Sequence, residues 1–155
     1  MSAAFEAPEA VAHALLLLDS HMRVVGRPLA VSDGSADERA RALYFAPFVV
    51  LSHGTESDPL FNYGNAAAQD LFEFEWDQLI ALPSRLSAET QNQAERQRAL
   101  DLVASRGYVD DYVGIRVSRS GRRFRITGTT VWNVIDREGK HRGQAAAFAT
   151  WTPIE

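Results

Sequence analysis

The densest group of side chains able to do chemistry lies in Ser52-His53-Gly54-Thr55-Glu56-Ser57-Asp58-Pro59, with Asn62 shortly after. A metal needs three or more donors converging in a fixed geometry, and His-x-x-Glu-x-Asp on a turn matches no such spacing. The same side chains can accept from backbone N–H groups that a tight turn leaves unpaired, or they can touch a small ligand. Ser52 and His53 are adjacent, and neighbours on an extended chain point to opposite faces, so they cannot work as nucleophile and base. A Gly-x-Ser-x-Gly elbow is missing as well. The expectation is a protein with no catalytic residue and no metal site.

Two further groups have chemical potential. Tyr63, Trp76, Tyr108, Tyr112, Trp132 and Trp151 could wall a small-molecule pocket or pack an ordinary core. Arg116, Arg119, Arg122, Arg123 and Arg125 crowd one short segment, as a solvated hairpin tip, an anion site or a contact for an acidic partner. Alternation sets Arg116 against Ile115 and Val117, so Arg116 and Arg125 are expected to face outward.

These groups sit in a chain of 155 residues, a length that fits one domain over 1–155. An apolar fraction of 46% and a charged fraction of 23% are those of a folded globular protein. Up to Asp111 there are 8 basic and 17 acidic residues, and from Tyr112 onwards 8 basic and 3 acidic, so the C-terminal third is the cationic end of an acidic chain. The net charge of -4 makes nucleic acid an unfavoured partner. With no cysteine, disulfides, thiolate metal sites and catalytic thiols are excluded. The apolar run Ala14 to Leu18 is far short of the roughly 20 residues of a membrane span. Glu6 and Glu9 precede it where a signal peptide would be basic, so a cytoplasmic location is expected.

The elements that position the groups follow from periodicity. Pro8 opens and Gly26 closes a helix over about 8–25, whose stripe is Val11, Leu15, Leu18, Met22 and Val25. Leu16 and Leu17 widen it, so the helix packs across a sheet or pairs with a second copy in a homodimer. Ser32 to Ser35 reads as a loop, and Ala36 to Leu43 as a short helix. Phe48 to Leu51 reads as a buried strand and Leu60 to Tyr63 as another. Asn65 caps a helix over Ala66 to Phe72, a short helix follows over Trp76 to Ala81, and Ser87 caps a longer one ending at Gly107. From Tyr108 the period becomes two. Val113, Ile115 and Val117 alternate with Tyr112, Gly114, Arg116 and Ser118; Ser120-Gly121 turns the chain; and Phe124, Ile126, Gly128, Thr130, Trp132 and Val134 are expected on one face. After the turn Asp136 to Lys140, a third strand runs from Gln144 to Trp151. Its alanines, Ala145, Ala147 and Ala149, leave one shallow face for a ligand or a close-packed helix. Gly114 and Gly128 permit a bulge or a close approach.

The wording of several segments is more specific than their order. Ser52-His53-Gly54-Thr55-Glu56, Asp58-Pro59, Phe61-Asn62-Tyr63-Gly64-Asn65, Leu82-Pro83-Ser84-Arg85, Ser87-Ala88-Glu89, Gly121-Arg122-Arg123-Phe124, Trp132-Asn133 and Gly143-Gln144-Ala145-Ala146 together resemble the MEKHLA domain family, from about Leu15 to Trp151. The resemblance implies an α+β fold: a PAS-like five-stranded antiparallel sheet flanked by short helices, with a core over about 44–152 and an N-terminal helical extension. The family looks divided between plant homeodomain-leucine zipper proteins and stand-alone bacterial proteins. Lacking a homeodomain and a heptad zipper, this chain resembles the stand-alone kind.

By analogy with PAS domains, the resemblance implies a sensory or regulatory module that binds a small molecule between sheet and helices and signals through an unknown protein partner. The expected ligand contacts are His53, Glu56, Asn62, Tyr63, Tyr112, Trp132 and Gln144. A ligand-free interaction module using Arg116, Arg122, Arg123 and Arg125 is the alternative, and a small enzyme centred on His53 and Glu56 is less favoured. A covalent cysteinyl flavin is excluded by composition. Haem is disfavoured because no histidine falls between Ser87 and Arg106, while non-covalent flavin or a small organic ligand stays open.

Overall fold

At the start of helix α1 (Pro8–Val25) Pro8 has no N–H to leave unpaired, and at its end Gly26 takes φ 89°. In this computed structural model, which describes residues 3–30 and 33–155, α1 lies across one face of the sheet. The expected loop beginning at Ser32 starts outside the described residues. The face α1 buries is Ala10, Ala14, Leu17, Leu18, Ser20 and His21, while Met22 is 50% exposed. The helix is thus rotated from the expected stripe. Small side chains let it come close, and Ser20 supplies an acceptor for the Trp132 indole N–H at 3.1 Å. A buried indole needs such a partner.

Helix α2 (Ala36–Tyr44) begins with a capping box between Ser35 and Glu38. Strands β1 (Val49–His53) and β2 (Phe61–Gly64) then pair antiparallel. Asn65 does cap α3 (Ala66–Phe72), accepting from the Ala68 N–H, and it does more. Fully buried, it also accepts from the Val50 N–H at 3.0 Å and donates to the carbonyls of Leu43 and Phe48 at 3.2 and 2.8 Å. One amide thereby joins α2, β1 and α3.

After α4 (Trp76–Leu79) and a 3₁₀ turn over Ser84–Ser87 comes α5 (Thr90–Arg106). Its N-cap is Glu89 rather than Ser87, whose hydroxyl instead donates to the Ser84 carbonyl at 2.8 Å. Of the residues in α5 only Arg96 and Val103 are buried.

The remaining strands are β3 (Tyr108–Val117), β4 (Arg123–Ile135), β5 (His141–Phe148) and β6 (Thr150–Ile154), all antiparallel to their neighbours in a sheet ordered β2-β1-β5-β4-β3. The expected single last strand is two. Pairing breaks at Ala149, so β5 lies along 130–135 of β4 and β6 along Arg123 to Thr127, end to end on one edge.

Opposite that break, Gly128 takes φ 58°, and three β4 residues span two of β3. A bulge of this kind reverses which residues face which side. Phe124 and Ile126 therefore join the core beneath α3 with Val49, Leu51 and Phe148, whereas Trp132 and Val134 join the core beneath α1 with Tyr63, Ala145 and Ala147. They do not share one face, as an unbroken alternation would require. Of the shallow alanine face, Ala145 and Ala147 lie under α1, so a helix fills it there, while Ala149 is exposed at the break.

Strand β3 departs from expectation more sharply. Val113 is 51% exposed, while Gly114 and Arg116 are buried. The apolar side of its alternation faces out and the side bearing Arg116 faces in. Arg116 therefore does not face outward, and of the two arginines expected there only Arg125 is exposed.

Candidate site between helix α5 and the sheet

The inward face of β3 helps enclose a cavity of about 60 Å³. Its roof is Arg96, Ala99 and Leu100 of α5 with Ser87. The sheet contributes Leu51 and His53 from β1, Tyr112 and Arg116 from β3, Thr129 and Val131 from β4, and Gln144 and Phe148 from β5.

A chain of hydrogen bonds runs along one wall. Gln144 points its amide N–H groups at the Leu100 carbonyl (2.9 Å) and Asn133 Oδ1 (3.3 Å), which leaves its Oε1 facing His53 Nε2 at 3.4 Å. His53 is thereby the Nε2–H tautomer, and its Nδ1 accepts from the Ser84 hydroxyl at 2.6 Å. Ser84 Oγ in turn accepts from Arg96 Nη2 at 2.9 Å. Burial, and next the nearby Arg96 charge, pushes His53 down to about 4, so the ring is neutral at pH 7 and both nitrogens are engaged. Asn133 completes the circuit by donating to the Val103 carbonyl at 3.0 Å. Helix α5 is tied to the sheet at both ends by polar links.

On the opposite wall, Arg116 Nη2 donates to the Tyr112 hydroxyl at 3.1 Å and Nη1 to the Ile115 carbonyl at 2.9 Å. The Tyr112 O–H donates to Glu95 Oε2 at 3.0 Å. Burial is the main cause that pushes the Tyr112 phenol up. Gly114 makes room for this pairing: a Cβ there would stand 2.5 Å from the Tyr112 hydroxyl and 2.9 Å from Arg116 Nη1.

Of the residues the sequence offered as ligand contacts, His53, Tyr112 and Gln144 meet at this cavity. Glu56 and Asn62 do not. They border a surface depression with His13, and Glu56 accepts from the Leu60 N–H at 3.1 Å. Tyr63 and Trp132 lie under α1, where Tyr63 meets the Trp76 ring edge-on at 5.6 Å and Trp132 meets His21 edge-on at 4.8 Å.

The arginine hairpin is likewise divided. Arg116 points into the cavity, Arg122 pairs with Glu73 at 3.6 Å, and Arg123 pairs with Glu89 at 2.6 Å. Ser52 does find a histidine, although not its neighbour. His13 Nε2 comes from α1 to 2.9 Å of Ser52 Oγ, whose own proton goes to Asn62.

Arg96, Ser84 and Thr129 escaped the sequence reading. Arg96 sits on the polar half of α5, which reads as a solvated face. The available signal was its spacing to Ala99, Leu100 and Val103, which places it on their side of the helix.

Among the described residues no group of three or more His, Cys, Asp or Glu side chains converges as a metal site would. A flavin does not fit either: sites for ligands of that size run to about 300–1,000 Å³, well beyond this cavity.

The profile of the MEKHLA domain family matches residues 11–153. The chain belongs to the MEKHLA domain family. Comparison with curated proteins finds no match. Among solved structures, this MEKHLA domain is similar to a PAS domain from Colwellia psychrerythraea, at 12% identity and a TM-score of 0.62 over 75% of this chain and 93% of that one. It is also similar to a light-oxygen-voltage domain studied with a flavin analogue, at 13% identity and a TM-score of 0.59 over 75% and 84%. An RNA-binding light-oxygen-voltage receptor gives 14% identity and a TM-score of 0.62, over 77% of this chain and 36% of that one. These likenesses establish a PAS-type α+β fold. Three segments that carry the MEKHLA resemblance, around His53, Ser84 and Gln144, meet in the hydrogen-bond chain described above. No helix among the described residues is long and apolar enough to cross a membrane.

Proposed function

We propose that this MEKHLA domain is a sensory or regulatory module whose signal is a small molecule held between α5 and the sheet. The observation that carries this reading is the cavity itself, a partly open and mainly apolar space with a few fixed polar groups, roofed by a helix that buries only Arg96 and Val103. A helix anchored by a few polar links rather than a broad apolar face is cheap to shift, and elements that move on binding are drawn from such parts of a fold. Ligand binding would reseat α5 and change the surface shown to a protein partner. The reading is non-catalytic because both ring nitrogens of His53 are already engaged and the Ser52 proton is directed at Asn62 rather than at a base.

Native mass spectrometry, an absorption spectrum and a thermal-shift screen of small metabolites test it. A bound mass or a rise in Tm of several degrees is expected, lost in Ala99→Leu, which fills the cavity from its roof. A bare polypeptide mass, no visible absorption and no thermal shift with any compound would overturn it.

A further inference from the structure

Two guanidinium groups reach the cavity, Arg96 from α5 and Arg116 from β3, with 7% and 9% of their surface exposed. Buried charges in proteins are ordinarily paired. None of the ion pairs among the described residues includes either arginine. Arg96 makes one hydrogen bond, to the Ser84 hydroxyl, and Arg116 makes two, to Tyr112 and to the Ile115 carbonyl. All of those acceptors are neutral. The carboxylate of Glu95 stands one step away, on the far side of the Tyr112 hydroxyl. The two positive charges also act on each other. Burial and then the Arg116 charge bring Arg96 down to about 10, which still leaves Arg96 cationic at neutral pH.

A second, independent observation lies in the lining of the same cavity. Thr129 is fully buried and borders the cavity, and its hydroxyl has no hydrogen-bond partner. A buried hydroxyl without a partner is costly. Much of the rest of the wall is hydrocarbon, with Leu51, Ile126 and Phe148, and the polar side chains His53 and Gln144 on it are already bonded to protein partners. Two unpaired cations and a free hydroxyl facing an apolar wall describe the complement of a small amphiphilic anion.

We propose that the cavity binds a short-chain organic monocarboxylate, with Arg96 and Arg116 holding the carboxylate, Thr129 donating to it, and the aliphatic part lying against Leu51, Ile126 and Phe148. Guanidinium groups match a carboxylate in geometry as well as charge. The cavity volume corresponds to on the order of four waters, the size of a ligand with two to four carbons. The proposal deepens the ligand-sensing reading and rests on it.

Calorimetric titration and thermal shift of the full chain with acetate, propionate and butyrate, each against its own amide, and with sodium nitrate and phosphate, test it. Saturable binding of a carboxylate at least tenfold tighter than its amide is expected. Arg116→Met should weaken that binding at least tenfold while the ligand-free protein keeps its circular dichroism spectrum and loses no Tm. Thr129→Val should weaken it severalfold, as a second variant that disturbs no charge.

If amide and carboxylate bind alike, the anionic class is wrong and the sensory reading survives. Tighter binding of nitrate or phosphate than of any carboxylate overturns the carboxylate. Unchanged affinity in both variants overturns the site. If none of these compounds binds, the carboxylate proposal fails, and the metabolite screen separately decides whether the cavity takes any ligand.

Discussion

His53 and His13 are held neutral by their surroundings, each pushed down to about 4 from 6.5, first by burial. An unfolded chain takes up a proton at each ring near pH 6.5, whereas the folded chain resists until about pH 4. Stability is therefore fully present above pH 6.5 and falls as the pH drops toward 4, because the unfolded state binds more protons in that window. The loss is about 1.4 kcal/mol per pH unit for each histidine. Urea unfolding across a pH series should show that slope between about pH 4 and 6.5, roughly halved in either single histidine-to-glutamine variant. A slope identical in wild type and both variants would assign the effect elsewhere. Tyr63 is a residue whose burial has no polar explanation: its hydroxyl has no partner, and nothing in its surroundings accounts for that.

Among the elements, β4 does the most to define the molecule, because it pairs with three strands and changes sides part-way. The left-handed turn at Gly128 sends Ile126 to one core and Trp132 to the other. Nothing stands within 4 Å of where a Gly128 Cβ would be, so a substitution there tests backbone conformation alone. Gly128→Val should lose about 1–2 kcal/mol from the left-handed conformation of a β-branched residue. Chemical denaturation measures it. A loss no greater than that of an exposed strand substitution would mean that the bulge is not held by glycine.

For the molecule as a whole, the N-terminal helix α1 packs directly on the sheet and shares its core. It covers Trp132, Val134, Ala145 and Ala147, all of them buried, and it adds the His13 to Ser52 contact and a bond from Arg23 to the Ile135 carbonyl. A chain starting at Arg27 would expose the whole of that sheet face, several large side chains at about 2 kcal/mol each. Such a truncation should lose cooperative urea unfolding and its near-ultraviolet circular dichroism. Retention of both would show that the rest of the sheet folds without α1. Of the two leucines that widen the α1 stripe, Leu17 is buried inside the chain and Leu16 is half-buried.

The sequence by itself determined most of the elements and the family. Proline and glycine at helix ends, Asn65 as a cap and the period-two run after Tyr108 are local signals, legible because each acts within a few residues. Tyr63 and Trp132, expected at a pocket, lie under α1, because alternation gives relative faces, not which face meets which helix. The orientation of β3 needed the tertiary structure for the same reason. Local pattern favours burying Val113 and Ile115, but the two bulges in its pairing with β4 and the helix above it turn Arg116 inward. The sequence supplied His53, Tyr112 and Gln144. Only the folded chain brought Ser84, Arg96, Arg116 and Thr129 beside them, because those contacts join residues from different elements, and their charge acquires its meaning only once water is excluded around it.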